Sequence, residues 1–127
     1  MLRLLSAVAA VGLISTMVAA EARADGDAAK GKRVFNKCKT CHELTTEKNK
    51  IGPNLVGIIG RKSGSVAGFK YSSAMQNAGI TWDEKTIDAY IADPKKYIPG
   101  NKMVLAPIKN EDQREDLIAY IKEQQKK

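Results

Sequence analysis

The chain has 127 residues, 43% hydrophobic and 28% charged, with 21 basic side chains against 14 acidic ones and a formal net charge of +7. That length suits one domain with a thin apolar core. The basic excess directs attention to acidic partners, an anionic surface or nucleic acid. Nucleic acid is the runner-up, but the export signal at the N-terminus argues against it, as do the absence of an arginine cluster or aromatic-rich binding motif and the scatter of the lysines along the whole chain.

Arg3 gives a short positive start, Leu4 to Ala20 carries no charge, and Ala22-Arg23-Ala24 has small residues at the spacing of a cleavage site. This order of features predicts a secretory signal peptide over 1–24 and a mature domain over 25–127. A retained membrane anchor is the alternative, since an uncharged run of 17 residues lies at the short limit for a span. Export places the mature chain in the periplasm. It keeps 19 basic and 13 acidic residues there, a net of +6.

Asp27 predicts a helix running to about Lys37, with Ala28, Gly31, Val34 and Phe35 at helical spacing. Thr45 to Gly68 is rich in Gly, Lys and Ser and reads as loop with turns. Tyr71 to Asn77 is a candidate short helix. Asp83 or Glu84 opens another, through Ile91 and stopped by Pro94, and Pro94 begins a further turn to Tyr97. Pro99 to Pro107 is irregular. The last helix is expected from about Asn110 to Glu123, with Leu117, Ile118, Tyr120 and Ile121 on one stripe. No segment alternates as a strand would, so the class is all-α, with four to five helices and long loops. Loops this long are uncommon in a small domain. A large apolar cofactor at the centre would give them something to pack on.

Both cysteines and the single histidine lie in Cys38-Lys39-Thr40-Cys41-His42. C-x-x-C-H is the spacing of c-type haem attachment. On a helical turn, positions 38, 41 and 42 share a face. Two thiols can then bond to one porphyrin while the imidazole reaches its iron. A four-ligand zinc site would need further Cys or His, and none exists outside this cluster. A dithiol oxidoreductase is the remaining alternative, although the βαβ pattern that normally surrounds such a pair is missing. If haem is present, His42 supplies its only imidazole. Methionine is the common partner in electron-transfer haem proteins. Met1 and Met17 fall in the signal peptide, leaving Met75 and Met103. Met75 lies on the candidate helix, where a methionine is ordinary core filler. Met103 lies in the stiff loop "YIPGNKMVLAP" and is favoured on that ground.

With these motifs in order, the chain resembles the small class I c-type cytochromes, the family of mitochondrial cytochrome c and its bacterial periplasmic relatives. "GDAAKGKRVFNKCKTCHEL" is similar to the family's first helix and attachment site. "KIGPNLVGIIGRKSGSVAGFKYSSAM" is similar to its first long loop. "GITWDEKTIDAYIADPKKYIPGNKM" resembles the stretch leading to the methionine ligand, and "REDLIAYIKEQ" its last helix. The resemblance implies a cytochrome c fold around one covalent haem c. Cys38 and Cys41 would carry the thioethers, with His42 and Met103 as axial ligands. Pro53 would accept the free ring N–H of His42. Tyr71 and Trp82 would meet the haem propionates, with Arg61 as a buried cation beside them and Tyr90 packed by the methionine sulfur. Gly31 and Phe35 would meet the last helix near Leu117 and Tyr120. Two positions depart from the family: Met75, where mitochondrial proteins usually have asparagine, and Leu105, where many relatives have an aromatic ring.

The implied function is that of a monomeric one-electron carrier, not an enzyme, in a respiratory or similar chain. Its partners would be an oxidase, a cytochrome bc complex, a photosynthetic reaction centre or a dehydrogenase. Lys37, Lys39, Lys50, Lys95, Lys96, Lys102 and Lys109 flank the haem motifs and would steer the protein to acidic docking sites on them. A haem-based sensor or peroxidase, with Met103 off the iron, is the rival among haem proteins.

Overall fold

A computed structural model describes residues 7, 9–13 and 26–126. The expected signal peptide lies mostly outside the described residues. Those of its positions that are described form no helix, and Val11 and Leu13 are exposed. Five α-helices follow in chain order: α1 (Ala28–Val34), α2 (Ser73–Gln76), α3 (Glu84–Ala92), α4 (Pro94–Tyr97) and α5 (Glu111–Gln125). Among the described residues the only β pairing is in isolated bridges, His42 with Asn49 and Lys62 with Thr81. No helix among them is long and apolar enough to cross a membrane.

Each helix starts at a residue whose side chain accepts a backbone N–H of the first turn. Asp27 caps α1, Ser72 α2, Asp83 α3, Asp93 α4 and Asn110 α5. At α3 the cap is reciprocal, because the Asp83 N–H also donates to the Thr86 hydroxyl. Two boundaries differ from the sequence reading. The first helix does not run as an α-helix to Lys37: it tightens into a 3₁₀ turn at Phe35–Lys37, a common ending that serves otherwise unpaired carbonyls. Tyr71 precedes α2 instead of joining it, because Ser72 is extended and caps the helix behind it.

The helical frame is the crossing of α1 and α5. Gly31 is buried, and a Cβ placed there would collide with the Asp116 carbonyl and with the Tyr120 Cβ. Only glycine permits this approach. One turn on, the Phe35 and Tyr120 rings pack with centroids 5.6 Å apart. The Asp116 carboxylate also accepts the Asp27 N–H at 2.7 Å. Arg114 then ties α5 to α3 and to the preceding loop. Its Nε donates to Asp88 at 2.7 Å, and its Nη1 donates to the carbonyls of Ile108 and Lys109 at 2.9 and 3.0 Å. Buried apolar side chains from α3, α5 and the long loops (Ile58, Trp82, Ile87, Ile91, Leu117 and Ile121 among them) gather into one cluster. They line a cavity of about 280 Å³.

Candidate functional site

The cavity collects its polar residues from all along the chain. The 3₁₀ turn leads into Cys38, and the next turn is closed by the N–H groups of Cys41 and His42 donating to the Cys38 carbonyl at 3.1 and 2.9 Å. This holds Cys38, Cys41 and His42 against the cavity. The following loop folds back on that turn. The N–H of Gly52 donates to the Cys41 carbonyl at 2.9 Å, and that of Leu55 to the Glu43 carbonyl at 2.7 Å. The fold-back puts the Pro53 carbonyl 2.6 Å from His42 Nδ1. A carbonyl can only accept, so Nδ1 carries the proton and Nε2 keeps a free lone pair. Burial pushes the imidazole's pKa below its ordinary value, although the bond to Pro53 opposes this. The neutral ring is the form that binds a metal.

Arg61 and Trp82 are neighbours through backbone pairing between remote loops. The Gly60 N–H donates to the Trp82 carbonyl at 2.6 Å, and the Trp82 N–H donates to the Arg61 carbonyl at 2.8 Å. Ser63 and Ile80 continue the pairing. Arg61 Nη1 donates to the Val56 carbonyl at 3.2 Å, but its Nε is buried with no partner. Tyr71 packs edge-on against Phe69, and its hydroxyl accepts the Val66 N–H at 3.0 Å. The Tyr90 ring lies 5.1 Å from Trp82, and burial pushes its phenol up to about 12. Met103, in the loop after α4, completes the set.

All nine residues singled out from the sequence (Cys38, Cys41, His42, Pro53, Arg61, Tyr71, Trp82, Tyr90 and Met103) therefore line one cavity. Met75 and Leu105 line it too, so both departures from the family pattern lie at the site. Of the seven lysines, Lys37 and Lys102 border the cavity. Six of the seven are exposed; Lys50 is not, since its ammonium lies 3.2 Å from Glu43 and donates to the Lys39 carbonyl at 2.7 Å.

Several residues at the site were not anticipated. A Cβ on Gly52 would run into the His42 ring, so this glycine is what lets the loop press on the imidazole. Buried Asn54 donates through its Nδ2 to Asn49 Oδ1 at 2.9 Å and shapes the loop that presents Pro53. Asn101 holds the backbone of Met103. Their only sequence signal was adjacency: Gly52 and Asn54 flank Pro53, and Asn101 stands two positions before Met103.

The chemistry of the cavity fits a large apolar group bearing anionic substituents. Its walls are mostly aliphatic and aromatic, and the unpartnered Arg61 Nε offers a buried cationic donor. Two free thiols stand at its edge, with one imidazole presenting a lone pair. The dithiol-exchange alternative fits poorly, because burial pushes the Cys38 thiol up to about 11, whereas exchange catalysts lower theirs.

These features define an all-α domain built around a largely apolar pocket with a c-type attachment motif at its edge. The sequence profile of the cytochrome c family matches residues 28–125, and the chain belongs to that family. It is 52% identical over 98 residues to cytochrome c2 of Blastochloris viridis, covering 76% of this chain and 77% of that one. It is equally 52% identical over 104 residues to cytochrome c type-1 of Ascaris suum, covering 81% and 93%. Among solved structures, cytochrome cH from Methylobacterium extorquens superposes with a TM-score of 0.73 at 43% identity, covering 77% of this chain and 99% of that one. The chain is thus a small haem c electron carrier with the group covalently attached, and Cys38 and Cys41 fit the attachment motif.

Proposed function

We propose that this protein is a periplasmic one-electron shuttle whose haem iron is held by His42 and Met103 and whose lysines dock it on acidic surfaces of larger redox complexes. The observation that carries the reading is the convergence of nine residues, remote in sequence, on one cavity, with His42 Nδ1 engaged by Pro53. When bound, haem c supplies a one-electron ferric/ferrous couple. The chain's own work is to hold, orient and enclose. Cys38 and Cys41 are assigned to the thioethers. Pro53 and Gly52 fix the plane and tautomer of the His42 ring, so that Nε2 is the ligating atom. Arg61, Tyr71 and Trp82 are assigned to the carboxylates of the group, where the unpaired Arg61 Nε finds its partner. Ile58, Ile87, Ile91 and Leu117 exclude water, which disfavours excess charge at the centre and raises the potential. Tyr90 adds to that apolar wall. The uncharged run at the N-terminus directs export.

Docking rests on Lys37, Lys39, Lys95, Lys96, Lys102 and Lys109. Lys50 contributes less, because Glu43 already neutralises it. The partner is a redox protein with an acidic face, such as an oxidase, a cytochrome bc complex, a reaction centre or a dehydrogenase. Replacing Lys95 and Lys96 together by glutamate is expected to slow second-order electron transfer at low salt by about tenfold or more, with wild type and variant converging as salt rises. Stopped-flow kinetics against such a complex measure this. Equal rates for the two proteins at every ionic strength would remove the lysine surface from the account.

A further inference from the structure

We infer that Asn101 is the positioning residue for the Met103 thioether, and that its side-chain amide is needed as an amide because it donates at one end and accepts at the other. This rests on the assignment of Met103 as an axial ligand. The loop that carries Met103 leaves the short helix α4 through Ile98 and Gly100, the latter with φ at 88°. It reaches a fixed point again only at Ile108, whose N–H donates to the Ile91 carbonyl at 3.0 Å and whose carbonyl accepts from Arg114 at 2.9 Å. Among the described residues, the one hydrogen bond recorded for positions 102–107 is from the Met103 N–H to Asn101 Oδ1, at 2.9 Å. The other end of the same amide donates twice, to the carbonyls of Pro94 and Ile98, both at 2.8 Å. Those carbonyls bracket α4, and each also accepts a backbone N–H, Pro94 from Ile98 and Ile98 from Asn101 itself, both at 3.1 Å, so the amide is their second donor.

The side chain therefore ties the ligand's own backbone to the nearest rigid element. Its partners also settle which way the amide points: two acceptors can face only the NH₂ group, and one donor only the oxygen. No other side chain of the same length does this. Aspartate would turn an acceptor toward two carbonyls. Alanine would leave the Met103 N–H without its partner and cut the tie from that N–H to α4, while the Pro94 and Ile98 carbonyls keep only their backbone donors. Threonine keeps one donor and one acceptor. A mere cap on α4 would matter for folding alone. A positioning residue also governs how firmly the thioether competes for the iron.

The test uses ferric holoprotein titrated with imidazole, an external ligand that competes with Met103, while the weak far-red sulfur-to-iron band is followed. Asn101→Ala is expected to bind imidazole about tenfold more tightly than wild type, the factor for a loss of about 1.4 kcal/mol. Asn101→Asp at neutral pH is expected to gain more, since it adds repulsion to the loss. Asn101→Thr should fall between wild type and Asn101→Ala, and it carries the test alone if the aspartate variant does not accumulate. Imidazole affinity equal to wild type in these variants, with only the melting temperature lowered, would overturn the inference. Absence of the band from wild type itself would instead overturn the Met103 assignment, and the inference with it.

Discussion

Met103→Ala is expected to abolish the far-red sulfur-to-iron band, to lower the midpoint potential by on the order of a few tenths of a volt, and to let the ferrous protein bind carbon monoxide. A thioether favours ferrous iron, so its removal stabilises the ferric state. Axial ligands together set haem potentials over roughly 0.8 V, and losing one of them should move the value by a sizeable part of that range. The fold should survive. Met103 is only partly buried, and the loop around it is anchored by Asn101, Ile108 and Arg114, none of which is changed. Met75 supplies the control, because it is a second thioether lining the same cavity. Met75→Ala should keep the band. If Met75→Ala loses it and Met103→Ala keeps it, the ligand has been misassigned. Redox titration of the two variants beside wild type decides the matter.

Gly31→Val is expected to cost at least about 3 kcal/mol of stability, measured as a lower denaturant midpoint. Two effects oppose each other here. Any side chain at an interior helix position gains over glycine, by up to about 1 kcal/mol for alanine and less for valine. Against that, even the Cβ would overlap the Asp116 carbonyl and crowd Tyr120. The first obstacle is backbone, which cannot swing aside as a long side chain can. Relief requires α1 and α5 to separate, which also parts Phe35 from Tyr120 and takes the Asp27 N–H from Asp116. Overpacking therefore outweighs propensity. Since the total stability of small domains is about 5–15 kcal/mol, the loss is a large share of it. A midpoint equal to wild type would show that the helix crossing does not depend on this contact.

How legible the molecule was depends on distance along the chain. Local signals were read well. Asp27, Asp83 and Asn110 start helices where a capping residue precedes an apolar stripe, and Pro94 opens α4. The attachment motif was legible because five adjacent residues carry its whole geometry. The end of α1 was misjudged, since periodicity cannot tell an α-turn from a 3₁₀ turn at Phe35–Lys37. Tyr71 lies just outside α2, because the Ser72 cap that starts the helix behind it has no signal in the apolar pattern. Long-range features left no local trace. Arg61 and Trp82, 21 positions apart, meet through paired loops, and nothing in either segment alternates as a strand would. Their roles came only from the family resemblance. Gly52 looked like an ordinary turn former, because its reason is the ring of His42, brought over it by folding. Asn101 looked like a loop asparagine, because its partners at Pro94 and Ile98 matter only once α4 exists.

A haem c bound through Cys38 and Cys41, with His42 and Met103 on its iron, would give this protein a diagnostic colour. The absorption spectrum of the purified protein, oxidised and then reduced, reports all of these groups at once. A sharp c-type spectrum on reduction and the far-red sulfur-to-iron band in the ferric form are expected. A c-type spectrum without that band would contradict the Met103 assignment and favour an open-site sensor or peroxidase. A colourless protein with two titratable thiols would contradict the account as a whole.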